Sequence, residues 1–220
     1  MIYTKGYERL IEALRTGRDT LGKSDLSLAA ERMVDVLESG GVVLHPTDTI
    51  YGLAADATNP TAIAKLKLIK GRDKKPLLLF VSNIEMLKQY AHVSGYTERL
   101  LIDFQGRPLS VILETNDDRL AHDCKLENSV GCRIPSDLFT KKVITVFDKP
   151  IATTSANVSN CSYVGDLERL FELFYDKVDM FIVGETGAAG LPSTVIDCRN
   201  EPYVIVRPGA VSAEELKEYL

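Results

Sequence analysis

A short polar loop between two apolar stretches holds the first residues that could do chemistry. Residues 45–53 read HPTDTIYGL, and they follow an apolar run at 42–44. A strand that merely leaves the core does not need two threonines, an aspartate and a tyrosine so close together. Such groups at a strand end are typical of a ligand-binding cleft in α/β proteins. The loop predicts a cleft, although Asp48 can equally satisfy loop backbone donors and Tyr51 can pack beneath the loop.

Two cations follow this loop at the end of a predicted helix. Asn59 and Pro60 are residue types favoured at a helix N-cap and first helical position, and the helix runs to the sequence KGR, which contains Lys70 and Arg72. Because the helix dipole alone favours cations in the last turn, KGR by itself indicates C-terminal capping.

A third polar segment, TTSAN at residues 153–157, follows another apolar run and contains Ser155 and Asn157. Serine and asparagine favour turns through hydrogen bonds from side chain to backbone, so TTSAN by itself indicates a strand that enters a turn. A functional interpretation of this segment gains weight because KGR is also present.

Alternating strands and helices must position these segments. The helix that precedes the first loop is predicted at 26–38, capped by Asp25, with Leu28, Met33, Val36 and Leu37 as its apolar positions. Further strands are predicted at 77–81, 109–113, 130–134, 151–154, 180–183, 195–197 and 204–206. Further helices are predicted after residue 83 and at 96–104, 136–146 and 166–175. Ser212 with Glu215 predicts a capping box for a final short helix. The alternation predicts an α/β fold with a mixed sheet.

Composition narrows the class of protein. A chain of 220 residues with 45% hydrophobic content can bury a sizeable core and is most simply one domain. The net charge of −5 argues against broad electrostatic binding to nucleic acid. The four cysteines are scattered without a C-x-x-C pair or a secretory signal, which indicates reduced thiols in a cytoplasmic protein. The sequence predicts neither a membrane span nor a structural zinc site.

Five motifs in order give the chain a family resemblance. Besides the loop and KGR, these are SVGCRIP at 129–135, PIATTSANVS at 150–159, and PSTVID with VIVRPGAVS at 192–197 and 204–212. Over about residues 26–212 the sequence resembles the YrdC-type family of threonylcarbamoyl-AMP synthases. The resemblance implies a twisted mixed α/β sheet with helices around a large open cavity. It also implies a single catalytic domain at 26–220, in a short form without the extra C-terminal domain of longer members.

The resemblance implies an activity as well. The family joins L-threonine, bicarbonate and ATP into threonylcarbamoyl-AMP and releases pyrophosphate, and the product serves the modification of an adenosine beside the tRNA anticodon. Mg²⁺ is expected through ATP rather than at a dedicated metal site, and tRNA-modification proteins are the expected partners. Two alternatives stay open: a non-catalytic RNA-binding or regulatory module of the same fold, and carbamoyl transfer in hydrogenase maturation. The absence of paired cysteines disfavours the latter.

Site residues carry over from the family position by position. The implied catalytic residues are Lys70, Arg72, Ser155 and Asn157. The implied threonine-binding residues are Thr49, Arg133, Thr153 and Ser193. The implied ATP-binding residues are Arg72, Lys75, Ser129, Ser155 and Arg207. Arg133 has a clear physical role, because a guanidinium fork matches a carboxylate with two hydrogen bonds, whereas a lone arginine after a strand can also form an ordinary salt bridge.

Some features of the chain depart from the family pattern or lie outside it. Phe80 stands where many relatives carry a histidine that helps to hold threonine, and it could either contact ligand or belong to the buried strand at 77–81. The loop after KGR is one residue shorter than usual and lacks its first proline. Residues 1–25 precede the resemblance as an extension of unknown role, in which Leu10, Ile11 and Leu14 could line a short helix.

Overall fold

In a computed structural model, the structure describes residues 2–3, 26–71, 76–115, 117–157, 166–186 and 191–220. Their strands form one ten-stranded mixed sheet in the order β1-β8-β2-β3-β7-β4-β6-β5-β9-β10. The strands are β1 (Ile2–Tyr3), β2 (Val43–His45), β3 (Gly52–Asp56), β4 (Leu78–Phe80), β5 (Leu109–Glu114), β6 (Ser129–Arg133), β7 (Ile151–Ser155), β8 (Met180–Ile182), β9 (Thr194–Asp197) and β10 (Val204–Arg207).

The sheet combines parallel and antiparallel pairs, as the sequence predicts. The pairs β2–β8, β4–β6 and β5–β9 are parallel, whereas β7 runs antiparallel to both of its neighbours, β3 and β4. The described helices are α1 (Leu26–Glu38), α2 (Pro60–Lys70), α3 (Ile84–Tyr90), α4 (Gly95–Asp103), α5 (Leu138–Phe147) and α6 (Leu167–Phe174). The predicted α/β fold is confirmed.

Helix α2 begins and ends as its sequence predicts. The Asn59 side chain accepts hydrogen bonds from the backbone N–H groups of Thr61 and Ala62 at 3.0 and 3.2 Å. Gly71 ends the helix at φ 63°, a left-handed conformation that costs glycine little. These two caps fix the ends of the helix and make Lys70 its last residue.

Strand alternation divides the central sheet into two faces. Leu79, Val130, Cys132 and Ala152 are at most 1% exposed and belong to the hydrophobic core. Because successive residues of a strand point to opposite faces, the strand neighbours of these core residues point to the other face of the sheet. That second face carries the polar residues of the site.

Three expectations from the sequence are wrong. The sequence predicts no strand at Gly52–Asp56, because this segment contains small residues and lacks the β-branched residues that favour strands, yet it forms β3. In α1, Leu28 is 40% exposed, and the small Ala29 and Ala30 are buried instead. After Ser212 the predicted capping-box bonds form, yet residues 213–219 make turns rather than a helix.

No helix of the described residues is long and apolar enough to cross a membrane. The predicted helix around Leu10 to Leu14 and the Asp25 cap lie outside the described residues.

Candidate functional site

The polar face of the central sheet forms the floor of an open cavity of about 350 Å³. Residues of β4, β6 and β7 and residues at the start of β9 line it, and several of them form pairs two positions apart because alternate residues of a strand share a face. These pairs are Leu78 and Phe80, Gly131 and Arg133, Thr153 and Ser155, and Ser193 and Val195. Thr47 and residues 49–52, from the β2–β3 loop and the start of β3, form one wall, and Arg207 lies in another. The loop and the TTSAN segment therefore meet in one cleft.

Lys70 reaches from the end of α2 to the residues that follow β7. Its Nζ donates to the Ser155 carbonyl at 2.6 Å, to Ser155 Oγ at 3.2 Å and to the Asn157 side-chain oxygen. Ser155 Oγ also donates to the Asn157 side-chain oxygen at 2.6 Å. The lysine is only 3% exposed. Capping of its own helix, which the sequence alone favoured, does not describe Lys70, because its ammonium bonds to another element.

Arg133, at the end of β6, is held at the cavity wall by a buried ion pair. Its Nη2 lies 2.7 Å from Asp48 Oδ2, and the two side chains are 3% and 7% exposed. Nε and Nη2 make no hydrogen bond of good geometry with the described residues, so the contact with Asp48 is an ion pair rather than an aligned hydrogen bond. Burial lowers the pKa of Arg133, and the Asp48 carboxylate opposes that shift. The salt bridge that the sequence left as an alternative is present, and the guanidinium also lines the cavity.

Phe80 belongs to the buried strand, which is one of the two interpretations left open above, and its contact with ligand stays a prediction. It is 3% exposed and belongs to the core, and it also lines the cavity beside Arg133, its register partner on β6. The Arg133 guanidinium carbon lies 5.8 Å from the centre of the Phe80 ring. The ring therefore lies beside the guanidinium and adds apolar surface to the cavity.

Ser193 and Arg207 are joined across the far wall. Arg207 Nη2 donates to the Ser193 carbonyl at 2.8 Å and to Ser193 Oγ at 3.1 Å. Ser193 Oγ shares a 2.8 Å hydrogen bond with Ser110 Oγ, a fully buried group of β5. Ser193, predicted to bind threonine, and Arg207, predicted to bind ATP, are thus in direct contact.

The remaining predicted residues divide between the cavity and undescribed segments. Thr49, Thr153 and Ser129 are at most 8% exposed and line the cavity. Ser129 Oγ donates to the Leu126 carbonyl at 2.8 Å. The predicted positions of Arg72 and Lys75 lie outside the described residues.

Two site residues have a role that sequence reasoning missed. Ser110 stands in the apolar strand at 109–113, where nothing in the sequence indicates its hydrogen bond to Ser193. Ser136 donates from its backbone N–H and its Oγ to Asp48 Oδ2, both at 2.8 Å. A serine directly after the motif CRIP is a weak signal, since it is equally typical of a helix N-terminus.

The described thiols are unsuited to catalysis. Cys124, Cys132 and Cys198 are free and buried. Burial raises the pKa of Cys124 and of Cys198 to about 12, and it also raises the pKa of Cys132. Among the described residues no group of three or more His, Cys, Asp or Glu side chains could hold a metal ion.

Fold and site together define an α/β protein with a cavity lined by cations and hydroxyl groups. A family model for Sua5, YciO and YrdC, described as telomere recombination, matches residues 35–209. The chain belongs to this family.

Individual relatives agree with this assignment. A threonylcarbamoyl-AMP synthase of Pyrococcus abyssi is 30% identical over 186 residues, which is 84% of this chain and 55% of that protein. The crystal structure of P. abyssi Sua5 complexed with L-threonine has a TM-score of 0.81 and 29% identity, covering 92% of this chain and 59% of that one. The structure of E. coli YciO, with a TM-score of 0.76 at 22% identity, covers 88% and 94% and shares the fold. The chain thus spans little more than half the length of the P. abyssi protein.

Proposed function

We propose that this protein is a threonylcarbamoyl-AMP synthase, which joins L-threonine, bicarbonate and ATP and releases pyrophosphate. The observation that carries the proposal is the contact of Lys70 with Ser155 and Asn157 at the edge of a cavity that also holds Arg133. Family membership supports the same reaction, since the P. abyssi relative bears that name.

The substrates differ in charge, and the described residues suit each of them. Arg133 with Thr49 would hold the threonine carboxylate, while Thr153 and Ser193 would face the rest of the amino acid. Arg207 and Ser129, which also line the cavity, would bind the nucleotide. The cavity lining contains no carboxylate among the described residues, so Mg²⁺ would be held by the ATP phosphates and their waters.

Two bond-forming steps would follow from this arrangement. The threonine amine forms a C–N bond to the carbon of bicarbonate and gives a carbamate with loss of water. A carbamate oxygen then attacks the α-phosphorus of ATP, and the bond to pyrophosphate breaks. Lys70 and the Ser155 hydroxyl would stabilise the negative charge that develops beside them, so catalysis would rest on positioning and electrostatic stabilisation.

The decisive experiment measures pyrophosphate release with ATP, Mg²⁺, bicarbonate and L-threonine, with each substrate omitted in turn. We expect the signal to require threonine and bicarbonate together. Full signal without either one would rule out the proposed reaction. Salt-dependent RNA binding without ATP consumption would instead support the non-catalytic RNA-binding module.

A pair of lysine variants links the reaction to the site. Lys70→Met should abolish most of the pyrophosphate release, because Ser155 and Asn157 lose their ammonium partner. Lys67→Met, in the same helix, removes a lysine that is ion-paired to Asp123 at 2.9 Å outside the cavity. The Lys67 variant should retain activity. Lys70 is buried, so its replacement also leaves acceptors without a donor and should cost about 1–3 kcal/mol of stability. Folding must therefore be checked for both variants.

A further inference from the structure

Asp48 and Arg133 form a buried ion pair in which Arg133 lines the cavity and Asp48 does not. Removing a charge from water is costly, and a buried charge that lacks a partner is strongly destabilising. Asp48 lies in the loop between β2 and β3, whereas Arg133 ends β6. The pair therefore joins two elements that come together only in the folded protein.

The Asp48 carboxylate is itself held in place. Its Oδ2 accepts from both the backbone N–H and the Oγ of Ser136, each at 2.8 Å, in addition to facing Arg133 Nη2. Its flanking residues Thr47 and Thr49 line the cavity. A carboxylate that served only the backbone of its own loop would not need contacts with residues 133 and 136.

Other contacts of Arg133 are too weak to orient the guanidinium. The hydrogen bond from Nη1 to Thr49 Oγ1 is long, at 3.4 Å, and the Phe80 ring offers only a broad apolar surface at 5.8 Å. Within the described ranges, Asp48 is the side chain that forms a salt bridge with Arg133. The ion pair is therefore the contact that fixes where the charge of Arg133 lies.

We propose that Asp48 is a positioning residue that orients Arg133 and thereby sets the affinity of the cavity for the carboxylate of a small amino acid. This inference rests on the proposed function, in which that amino acid is L-threonine. Asp48 acts through Arg133 and does not itself touch the substrate.

The main test is Asp48→Asn, which keeps the side-chain shape and an acceptor for Ser136 but removes the negative charge. We expect the KM for threonine to rise about tenfold or more, because Arg133 loses its fixed partner. The KM for ATP and kcat should stay within about threefold of the wild-type values. A purely structural role would instead lower thermal stability and affect both substrates alike.

Three further comparisons make this test more specific. Ser136→Ala removes one hydrogen bond to Asp48 but leaves the ion pair, so its threonine KM should rise less than that of Asp48→Asn. Asp48→Glu keeps the charge but displaces it by one methylene group, and its threonine KM should fall between wild type and Asp48→Asn. In an Arg133→Lys background, Asp48→Asn should have little further effect on the threonine KM.

Calorimetric titration with L-threonine separates failure of this inference from failure of the proposed function. Absence of threonine binding by the wild-type protein would count against the function itself. Wild-type binding with an unchanged threonine affinity in folded Asp48→Asn would overturn the positioning role, and so would an equal loss for threonine and ATP. If Asp48→Asn does not fold, an unchanged threonine KM in Asp48→Glu would overturn the proposal in the same way.

Discussion

His45, the last residue of β2, shows what a single buried side chain does to the pH dependence of stability. It is fully buried, and neither ring nitrogen has a hydrogen-bond partner in the described structure. Burial lowers its pKa to about 4, although Asp137 and Asp48 nearby act in the opposite direction. The histidine is therefore neutral in the folded protein at pH 7.

The sign of the resulting pH effect is fixed. Between about pH 6.5 and pH 4 the unfolded chain binds a proton at His45 that the folded chain does not, so the free energy of unfolding falls as the pH falls. The loss from His45 alone should be about 2 kcal/mol at pH 5. Urea denaturation of wild type and of His45→Leu at pH 7 and pH 5 measures it. His45→Leu should lose less stability over this range.

The matched control is His122→Gln, since His122 is exposed. This variant should lose as much stability as wild type between pH 7 and pH 5. Equal losses in wild type and His45→Leu would show that His45 does not titrate as its burial indicates.

Residue types could be predicted from the sequence better than their partners. The motifs KGR and TTSAN pointed to Lys70, Ser155 and Asn157. Only the fold shows that the Lys70 side chain extends from the end of its helix to the end of β7. The role of Asp48 stayed open for the same reason, because its partners Arg133 and Ser136 are far away along the chain.

At the scale of elements, the loop after β10 is pressed against the segment that enters β9. A Cβ atom added to Gly209 would lie 2.4 Å from the Pro192 carbonyl oxygen and 2.5 Å from the backbone of Ser193 and Thr194. Real Cβ atoms do not come so close to backbone atoms, so the two segments would have to separate. Because Arg207 donates to Ser193, the separation would also disturb the cavity wall.

We therefore expect Gly209→Ala to lower the free energy of unfolding by about 1–3 kcal/mol, the usual cost of overpacking. Gly95→Ala is the matched control, because a Cβ there meets nothing within 4 Å and its backbone is not left-handed. It should be neutral or stabilising by up to about 1 kcal/mol. Denaturant unfolding of both variants tests this, and equal stabilities would contradict it.

Most elements could be predicted from hydrophobic patterns and caps, and the failures have physical causes. The small residues of β3 have little intrinsic preference for a strand, and they adopt this conformation because they pair with β2 and β7. The segment after Ser212 has a capping box, but Tyr219 is tied by its backbone to Tyr203 and by its hydroxyl to Asp103. These long-range contacts favour turns over a regular helix.

At the scale of the whole molecule, the cavity draws on strands from both sides of β7, so its ligands should stabilise the entire sheet. Ligand at about 100 times its Kd should add about 2.7 kcal/mol to the free energy of unfolding. For a domain of this size that corresponds to a Tm increase of roughly 5–10 °C. Thermal unfolding with L-threonine, against D-threonine as the control of equal charge, measures the shift. Equal shifts with both enantiomers would argue against a specific threonine site.

The position of β7 in the sheet has a consequence for synthesis on the ribosome. The chain passes through β4, β5 and β6 before it reaches β7, yet β7 lies between β3 and β4. Until Ile151–Ser155 is made, β3 and β4 each have an edge that lacks its partner strand. Such non-local pairing slows folding. The same strand delivers Ser155 to Lys70. The strand that joins the two halves of the sheet therefore also joins two parts of the cavity, and the wall that holds Ser193 and Arg207 is synthesised only after it. A nascent chain that ends before Arg207 lacks part of the site.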